Sequence, residues 1–195
     1  MSDDDSLAAR RDLDQVYQPA EDSHLLATAA KDAATERTRA LDVGTGSGYV
    51  ADAMAQAGAS VVATDINPLA CEQAAQAGVP VVQGNLADPF REEVFDLVTF
   101  NPPYLPTPPE EARDDWMEAA LSGGEDGRRV IEPFLATVGR VLAFEGSILL
   151  LVSTLTDIDA VTDLAATHGF ESEQVSEESH PFEKLVVLEL RRSAE

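Results

Sequence analysis

Short apolar segments alternate with alanine-rich segments along most of this chain, and this alternation is the feature that most restricts its fold. The apolar segments predict strands at residues 40–43, 60–64, 80–83, 95–100, 147–152, 170–176 and 184–191. The segments between them predict helices at residues 23–34, 49–57, 68–77, 127–142 and 156–168. Strands and helices that alternate in this way are typical of an α/β fold with a doubly wound, mostly parallel sheet.

Three of the later strands refine this prediction. Residues 148–152 are apolar throughout, which suits a central strand covered on both faces. The last two predicted strands are separated only by a turn around residues 179–182, which is too short for a helical crossover. We therefore expect a seven-stranded Rossmann-like sheet that is mostly parallel and ends in an antiparallel C-terminal strand.

The chain length limits the number of domains. With 195 residues, of which 44% are hydrophobic, the chain has enough apolar content for one full core and too few residues for two. Residues 1–15 are predicted to form a flexible acidic N-terminus, because acidic residues dominate the first positions. Residues 16–195 are predicted to form the single domain.

The net charge of −23 arises from 36 Asp and Glu against 13 Lys and Arg. We interpret this surface as halophilic, because at molar salt the Debye length falls to about 3 Å and self-repulsion is screened. The charge makes nucleic acid an unfavourable partner. The N-terminus lacks the features of a signal peptide and no apolar run approaches the length of a membrane span, so a cytoplasmic protein without membrane association is expected. Cys71 is the sole cysteine, and no metal site is predicted.

A glycine-rich turn follows the first predicted strand and precedes a helix. Glycines lie at alternate positions, at Gly44, Gly46 and Gly48, where they permit positive φ and close approach of a ligand to the backbone. A dinucleotide fingerprint would need its third glycine at position 49, which is Tyr49. Asp42, just before the turn, would repel a phosphate but suits a cationic amino-acid ligand. A purely structural glycine turn is the alternative interpretation.

Two further strand ends support a nucleoside ligand. Asp65 ends the second strand about 20 residues after the glycine turn, where an acid accepts hydrogen bonds from ribose hydroxyls. Asn85 and Leu86 follow the third strand, where an amide and the backbone can contact an adenine edge. Ile66 is predicted to belong to the same site. A nucleoside that carries a cationic amino acid is S-adenosylmethionine, which is therefore the predicted cofactor.

The tetrapeptide Asn101-Pro102-Pro103-Tyr104 directly follows the predicted strand 95–100. In open α/β sheets, ligands bind at the carboxyl ends of strands. The two prolines fix the turn, so the Asn101 side chain and the Pro102 carbonyl are predicted to act as acceptors for a substrate –NH2 group, while Tyr104 packs against it. A proline turn that merely ends a strand is the alternative.

Residues 104–125 show no convincing periodicity and contain several prolines and glycines. Because this segment begins at Tyr104, we predict a substrate-side flap. Trp116 within it either closes on the substrate or anchors the loop.

The turn Asp42-x-Gly44-x-Gly46-x-Gly48 with Asp65 resembles the seven-stranded class I methyltransferases. Three segments narrow the resemblance to the archaeal and eukaryotic branch of the HemK-type release factor glutamine methyltransferases. They are Val16-Tyr17-Gln18-Pro19-Ala20-Glu21-Asp22-Ser23, Asn101-Pro102-Pro103-Tyr104 and Leu121-Ser122-Gly123-Gly124-Glu125-Asp126-Gly127.

This resemblance implies methyl transfer to the glutamine of the Gly-Gly-Gln loop of a class I release factor. It implies catalytic roles for Asn101, Pro102 and Tyr104, with Pro103 and Trp116 also contacting the substrate. It places four upstream residues by the cofactor: Tyr17, Pro19, Glu21 and Asp22. Helix capping is the competing role for Asp22. Position 85 departs from the family, because Asn85 stands where relatives often have an acid.

The resemblance also implies a small zinc-binding partner protein. In the family's strand order the third strand lies at a sheet edge, and Val79-Pro80-Val81-Val82 gives this edge little charged protection, so a partner strand would cover it. Protection of the edge by Pro80 alone is the alternative.

Three other functions remain open at this level. A base –NH2 group would present the same two hydrogens to Asn101 and Pro102, so a methyltransferase for exocyclic amines of RNA or DNA bases is possible. A protein-lysine methyltransferase and a non-catalytic binding module are the other two.

Overall fold

The computed structural model describes residues 15–110 and 115–193. The predicted acidic N-terminus lies outside the described residues except for residue 15, and so do residues 111–114 of the predicted flap. Seven strands form one sheet: β1 (Arg39–Val43), β2 (Ser60–Asp65), β3 (Val81–Gln83), β4 (Phe95–Phe100), β5 (Leu142–Ser153), β6 (Phe170–Ser179) and β7 (Lys184–Arg192). Within the described residues, six α-helices accompany them: α1 (Glu21–Ala33), α2 (Tyr49–Gln56), α3 (Pro68–Gln76), α4 (Trp116–Leu121), α5 (Ile131–Val138) and α6 (Ile158–Thr167).

The strand order across the sheet is β3-β2-β1-β4-β5-β7-β6. The first five strands are parallel, and β7 runs antiparallel to both of its neighbours. The predicted fold class is therefore confirmed. Because the order reverses at β1 and β4, the carboxyl ends of these two strands open a crevice where ligands bind in such sheets.

The core lies on both faces of the sheet. Strand β5 is buried from Gly146 to Ser153, as expected for a central strand. One apolar cluster packs α5 and α6 against the sheet, and a second packs α1 and α2 against the opposite face. Among the described residues, no helix is long and apolar enough to cross a membrane.

The helix predicted at residues 127–142 is wrong at both ends. Gly127 has φ +76°, and a Cβ there would lie 2.5 Å from the Tyr104 carbonyl oxygen, so this residue belongs to a tight turn. Leu142 already pairs with Phe95 as the start of β5, which is longer than the predicted strand 147–152. Only tertiary pairing determines these two boundaries.

The composition of residues 104–125 suggested a segment without regular structure, but the structure contains a helix there. Helix α4 occupies Trp116–Leu121, and the Asp115 carboxylate caps it by accepting a hydrogen bond from the Glu118 N–H at 2.8 Å. The segment is therefore partly helical where it is described.

Candidate active site

A cavity of about 640 Å³ lies at the carboxyl ends of β1, β2 and β4. This volume is typical of small-molecule sites. All but one of the residues that the sequence assigned to the site line the cavity: Tyr17, Pro19, Glu21, Asp22, Asp42, Gly44, Gly46, Asp65, Ile66, Asn85, Leu86, Asn101, Pro102, Pro103, Tyr104 and Trp116. Gly48 lies outside the lining; it has φ +86°, and a Cβ there would meet Val79 and Ala74 at 3.2–3.3 Å. Gly48 therefore allows the start of α2 to pack closely against Ala74 of α3 and Val79, and it does not line the cavity.

Asp42 lies beneath the glycine turn and is only 2% exposed. Its carboxylate accepts hydrogen bonds from Thr45 Oγ1 at 2.6 Å and from Thr99 Oγ1 at 2.7 Å. Burial raises the pKa of Asp42 to about 6, and these two hydroxyls partly oppose the rise. The site therefore holds a buried carboxylate that a cationic ligand group would stabilise. Sequence patterns did not identify the two threonines.

Asp65 joins the glycine turn to the end of β2. Its carboxylate accepts hydrogen bonds from the Gly46 N–H at 2.9 Å and from the Asn67 N–H at 2.8 Å. Burial raises the pKa of Asp65 as well. Asn67, which the sequence analysis missed, caps α3 and donates to the Gln15 carbonyl at 2.9 Å. These contacts fix the orientation of the Asp65 carboxylate and tie the upstream segment to it.

Apolar and amide groups form the neighbouring wall. Ile66 is 53% exposed, and Asn85 and Leu86 lie beside it in the lining. Leu86 holds a positive φ of 47°, which is unusual for a branched side chain. An unusual backbone conformation at a cavity wall is typical of a functional position.

The side-chain amide of Asn101 has a defined orientation. Its Nδ2 donates to Asp22 Oδ2 at 3.1 Å, while its Oδ1 is buried and has no hydrogen-bond partner within residues 15–110 and 115–193. A carboxylate can only accept, so the Asn101 amide group must face Asp22 with its nitrogen. The Tyr17 hydroxyl donates to the same carboxylate, at 3.0 Å from Oδ2 and 3.1 Å from Oδ1, and helps to hold it in place. An orphaned buried acceptor is costly unless a ligand donates to it.

Asp22 is not the N-cap residue of α1. The N-cap residue is Ala20, with no side-chain capping bond, and Asp22 lies within the first turn at 4% exposure. The Asp22 carboxylate accepts a hydrogen bond from the Ser23 N–H in that turn and another from Asn101 Nδ2, so it contacts both the helix N-terminus and the tetrapeptide. Asp22 and Asn101 are 79 positions apart in the chain, so no local sequence pattern could reveal their contact.

Tyr104 is half-buried beside these groups, and Pro102 is buried. Burial raises the pKa of Tyr104 strongly, with the Asp22 and Glu183 carboxylates adding to the effect. The hydroxyl therefore stays protonated at neutral pH, so Tyr104 is not a general base. Among the described residues, no group donates a hydrogen bond to the Pro102 carbonyl, which leaves it available as a second acceptor.

The glycine-rich segment 121–127 supports this tetrapeptide from behind. Leu105 N–H donates to the Leu121 carbonyl at 3.0 Å, and Gly123 N–H donates to the Leu105 carbonyl at 2.9 Å. Gly127 packs directly against the Tyr104 carbonyl. The segment also positions α4, whose Trp116, Ala119, Ala120 and Leu121 line the cavity. Apart from Leu121, which lines the cavity, the segment is thus a scaffold for the tetrapeptide.

The β6–β7 turn supplies two lining residues that the sequence analysis missed, His180 and Glu183. Ser153 Oγ donates to Glu183 Oε2 at 2.6 Å, which fixes the turn against the end of β5. Neither residue belongs to a recognisable motif, so only the tertiary structure places them in the site.

Comparisons with known proteins agree with this geometry. A family model described as "Methyltransferase domain" matches residues 41–102. A putative protein N5-glutamine methyltransferase of Methanocaldococcus jannaschii is 33% identical over 181 residues, covering 89% of this chain and 90% of that protein. The Homo sapiens protein "Methyltransferase HEMK2" is 33% identical and covers 91% of this chain and 90% of its own length.

A solved structure gives a similar result. The E. cuniculi Mtq2–Trm112 complex, described as responsible for methylation of the translation termination factor eRF1, matches with a TM-score of 0.77 and 27% identity. The match covers 92% of this chain and 99% of that chain.

Proposed function

This chain belongs to the HemK-type protein glutamine methyltransferases, and we propose that it methylates the side-chain nitrogen of the glutamine in the Gly-Gly-Gln loop of a class I release factor. The observation that carries the proposal is the buried Oδ1 of Asn101, which has no hydrogen-bond partner among the described residues and belongs to a side chain that lines the cavity. A primary amide supplies the hydrogen-bond donors that this acceptor lacks.

S-adenosylmethionine fits the other half of the cavity and supplies an electrophilic methyl group. Asp42 would receive the ammonium of its amino-acid end, and Asp65 would accept from the ribose hydroxyls. Ile66, Asn85 and Leu86 would surround the adenine. The fit is supported by the buried carboxylate of Asp42, whose raised pKa makes a cationic ligand favourable.

The acceptor nitrogen would be held by two oxygens. Asn101 Oδ1 and the Pro102 carbonyl accept its two hydrogens, which orients the nitrogen lone pair and raises its electron density. Asp22 keeps Asn101 in the required orientation, and Tyr104 packs against the planar amide. Because the hydroxyl of Tyr104 stays protonated, this side chain does not accept the proton, and the methylated nitrogen would release it to solvent after methyl transfer.

A base –NH2 group presents the same hydrogens, but two facts favour a protein substrate. The net charge of −23 opposes binding of a polyanion. Curated relatives that cover most of this chain carry protein-glutamine methyltransferase names.

We further propose that a small zinc-binding protein completes the enzyme by adding a strand to β3. Strand β3 is a sheet edge with three residues, and Val82 on it is 40% exposed. An apolar edge strand of this kind is a template for strand addition. The Mtq2–Trm112 complex provides a precedent in a structural relative.

The proposed function is tested by incubating the enzyme, co-expressed with the partner, with labelled S-adenosylmethionine and a release factor in molar salt. Label should enter the intact release factor and not a variant whose Gly-Gly-Gln glutamine is alanine. The Asn101→Ala variant should bind the cofactor normally and fail to transfer the methyl group. Label that persists in the alanine substrate would assign the activity to another residue, such as a lysine.

A further inference from the structure

The turn between β6 and β7 carries the most exposed large apolar side chain among the described residues. Phe182 is 95% exposed, although its neighbours His180 and Glu183 both line the cavity. Thus one short turn contributes to the wall of the site and also presents an aromatic ring to solvent at the rim. Aromatic residues are enriched in protein interfaces, so an exposed ring beside the cavity is a candidate contact for a protein ligand.

The turn is rigidly attached to the site. His180 N–H donates to the Glu183 carbonyl at 2.8 Å, which closes the turn. Lys184 N–H donates to Thr154 Oγ1 at 3.0 Å, and Ser153 Oγ donates to Glu183 Oε2 at 2.6 Å. Phe182 is therefore held outward on a supported turn, which lowers the entropy cost of using it in a contact.

A second recognition point is needed on chemical grounds. The two acceptors at Asn101 and Pro102 recognise a primary amide, and every glutamine and asparagine side chain carries one. Selection of one glutamine in one protein must therefore come from contacts outside the cavity. The exposed ring of Phe182, beside the cavity wall, can supply such a contact, because buried aromatic side chains carry much of the binding energy in protein interfaces.

We propose that Phe182, on the turn 179–184, is the docking site for apolar side chains on the body of the protein substrate that flank its methyl-accepting loop. This inference rests on the proposed function, because it requires a folded protein as the methyl acceptor. Leu155, 41% exposed on the adjoining 3₁₀ turn Thr154–Thr156, extends the same surface.

The chain offers a matched control. Phe144 is 84% exposed and lies in β5, nine residues before Ser153. At about 3.3 Å per residue, it lies about 30 Å from the cavity end of that strand. Phe144→Ala therefore removes an equally exposed ring without touching the rim.

The test compares Phe182→Ala, Phe144→Ala and the unchanged enzyme, each with its partner, on an intact release factor and on a short peptide that carries only the Gly-Gly-Gln loop. We expect Phe182→Ala to raise KM for the intact protein by about tenfold or more, with kcat changed less than twofold. Activity on the peptide, the dissociation constant of the cofactor and all properties of Phe144→Ala should match the unchanged enzyme. If the peptide is not a substrate of the unchanged enzyme, the test depends on the intact release factor alone. A raised KM with kcat nearly unchanged then supports docking at Phe182.

Unchanged KM in Phe182→Ala would overturn the docking proposal and leave the proposed function intact. An equal loss on the peptide, or a lowered kcat, would also overturn it, because Phe182 would then act on the loop or the site. A change in oligomeric state on size-exclusion chromatography would assign the ring to a contact between copies of this chain. Failure of the unchanged enzyme to methylate any release factor would instead refute the proposed function.

Discussion

Cofactor binding should depend on the protonation of Asp42. Burial raises its pKa from 3.8 to about 6, which corresponds to about 3 kcal/mol against ionisation in the folded, ligand-free protein at ~1.4 kcal/mol per pH unit. An ammonium placed beside the carboxylate lowers that pKa, so binding requires loss of the proton below pH 6. At pH 5, about ten of every eleven free molecules carry the proton, and the affinity should be about tenfold weaker than at pH 7.

Isothermal titration calorimetry with S-adenosylhomocysteine at pH 5, 6 and 7 measures this dependence. The ligand keeps its cationic amino group and its carboxylate charge over that range, so the ligand itself does not titrate. Titrations in buffers of different ionisation enthalpy should show release of nearly one proton per ligand bound at pH 5 and almost none at pH 7. The Asp42→Asn variant should bind more weakly at pH 7 and show no change between pH 5 and pH 7.

The same pKa predicts the stability of the ligand-free protein. Because the folded-state pKa lies above the unfolded value, the penalty is absent below pH 3.8 and complete above pH 6. Asp42→Asn should therefore raise the free energy of unfolding at pH 7 by up to about 3 kcal/mol and change it little near pH 4.

A cofactor affinity that does not vary with pH in the unchanged protein would refute the assignment of the proton to Asp42. A tenfold dependence that persists in Asp42→Asn would instead assign the proton to Asp65.

Three other perturbations test the scaffold around this site. Asp22→Asn should lower the single-turnover rate of methyl transfer by about tenfold or more, because the Asn101 amide is then free to rotate; an unchanged rate would remove Asp22 from its positioning role. Gly127→Ala should destabilise the protein, measured by thermal unfolding, by about 1–3 kcal/mol more than Gly169→Ala does. Both glycines have positive φ, but only at Gly127 would a Cβ meet the Tyr104 carbonyl. Equal losses of stability in the two variants would contradict the packing argument. Val82→Lys on β3 should abolish co-purification of the partner, whereas Val175→Lys on the opposite edge strand β6 should not, and retention of the partner by both would place it elsewhere.

Motifs that depend on neighbouring residues were predicted well from the sequence. The glycine turn lies between a strand and a helix with positive φ at Gly44 and Gly46, as its composition requires. Asp65 lies at the end of its strand because strand ends follow from short-range hydrophobic patterns. The sheet type follows in the same way from the alternation of strands and helices.

Features that depend on distant residues were not predicted. The N-terminal end of β5 depends on pairing with β4, and the start of α5 depends on the packing of Gly127 against Tyr104. His180 and Glu183 enter the cavity only because β7 pairs beside β5. No local pattern records such contacts.

By itself, the sequence determined the class of sheet, the position of the glycine turn, and the residue types available to hold a nucleoside and an amide. The tertiary structure alone decided that Asp22 holds the Asn101 nitrogen and leaves its oxygen without a partner. The physical reason is the range of the interactions: backbone geometry and hydrophobic period are set by adjacent residues, whereas the orientation of an amide is set by a carboxylate 79 positions away.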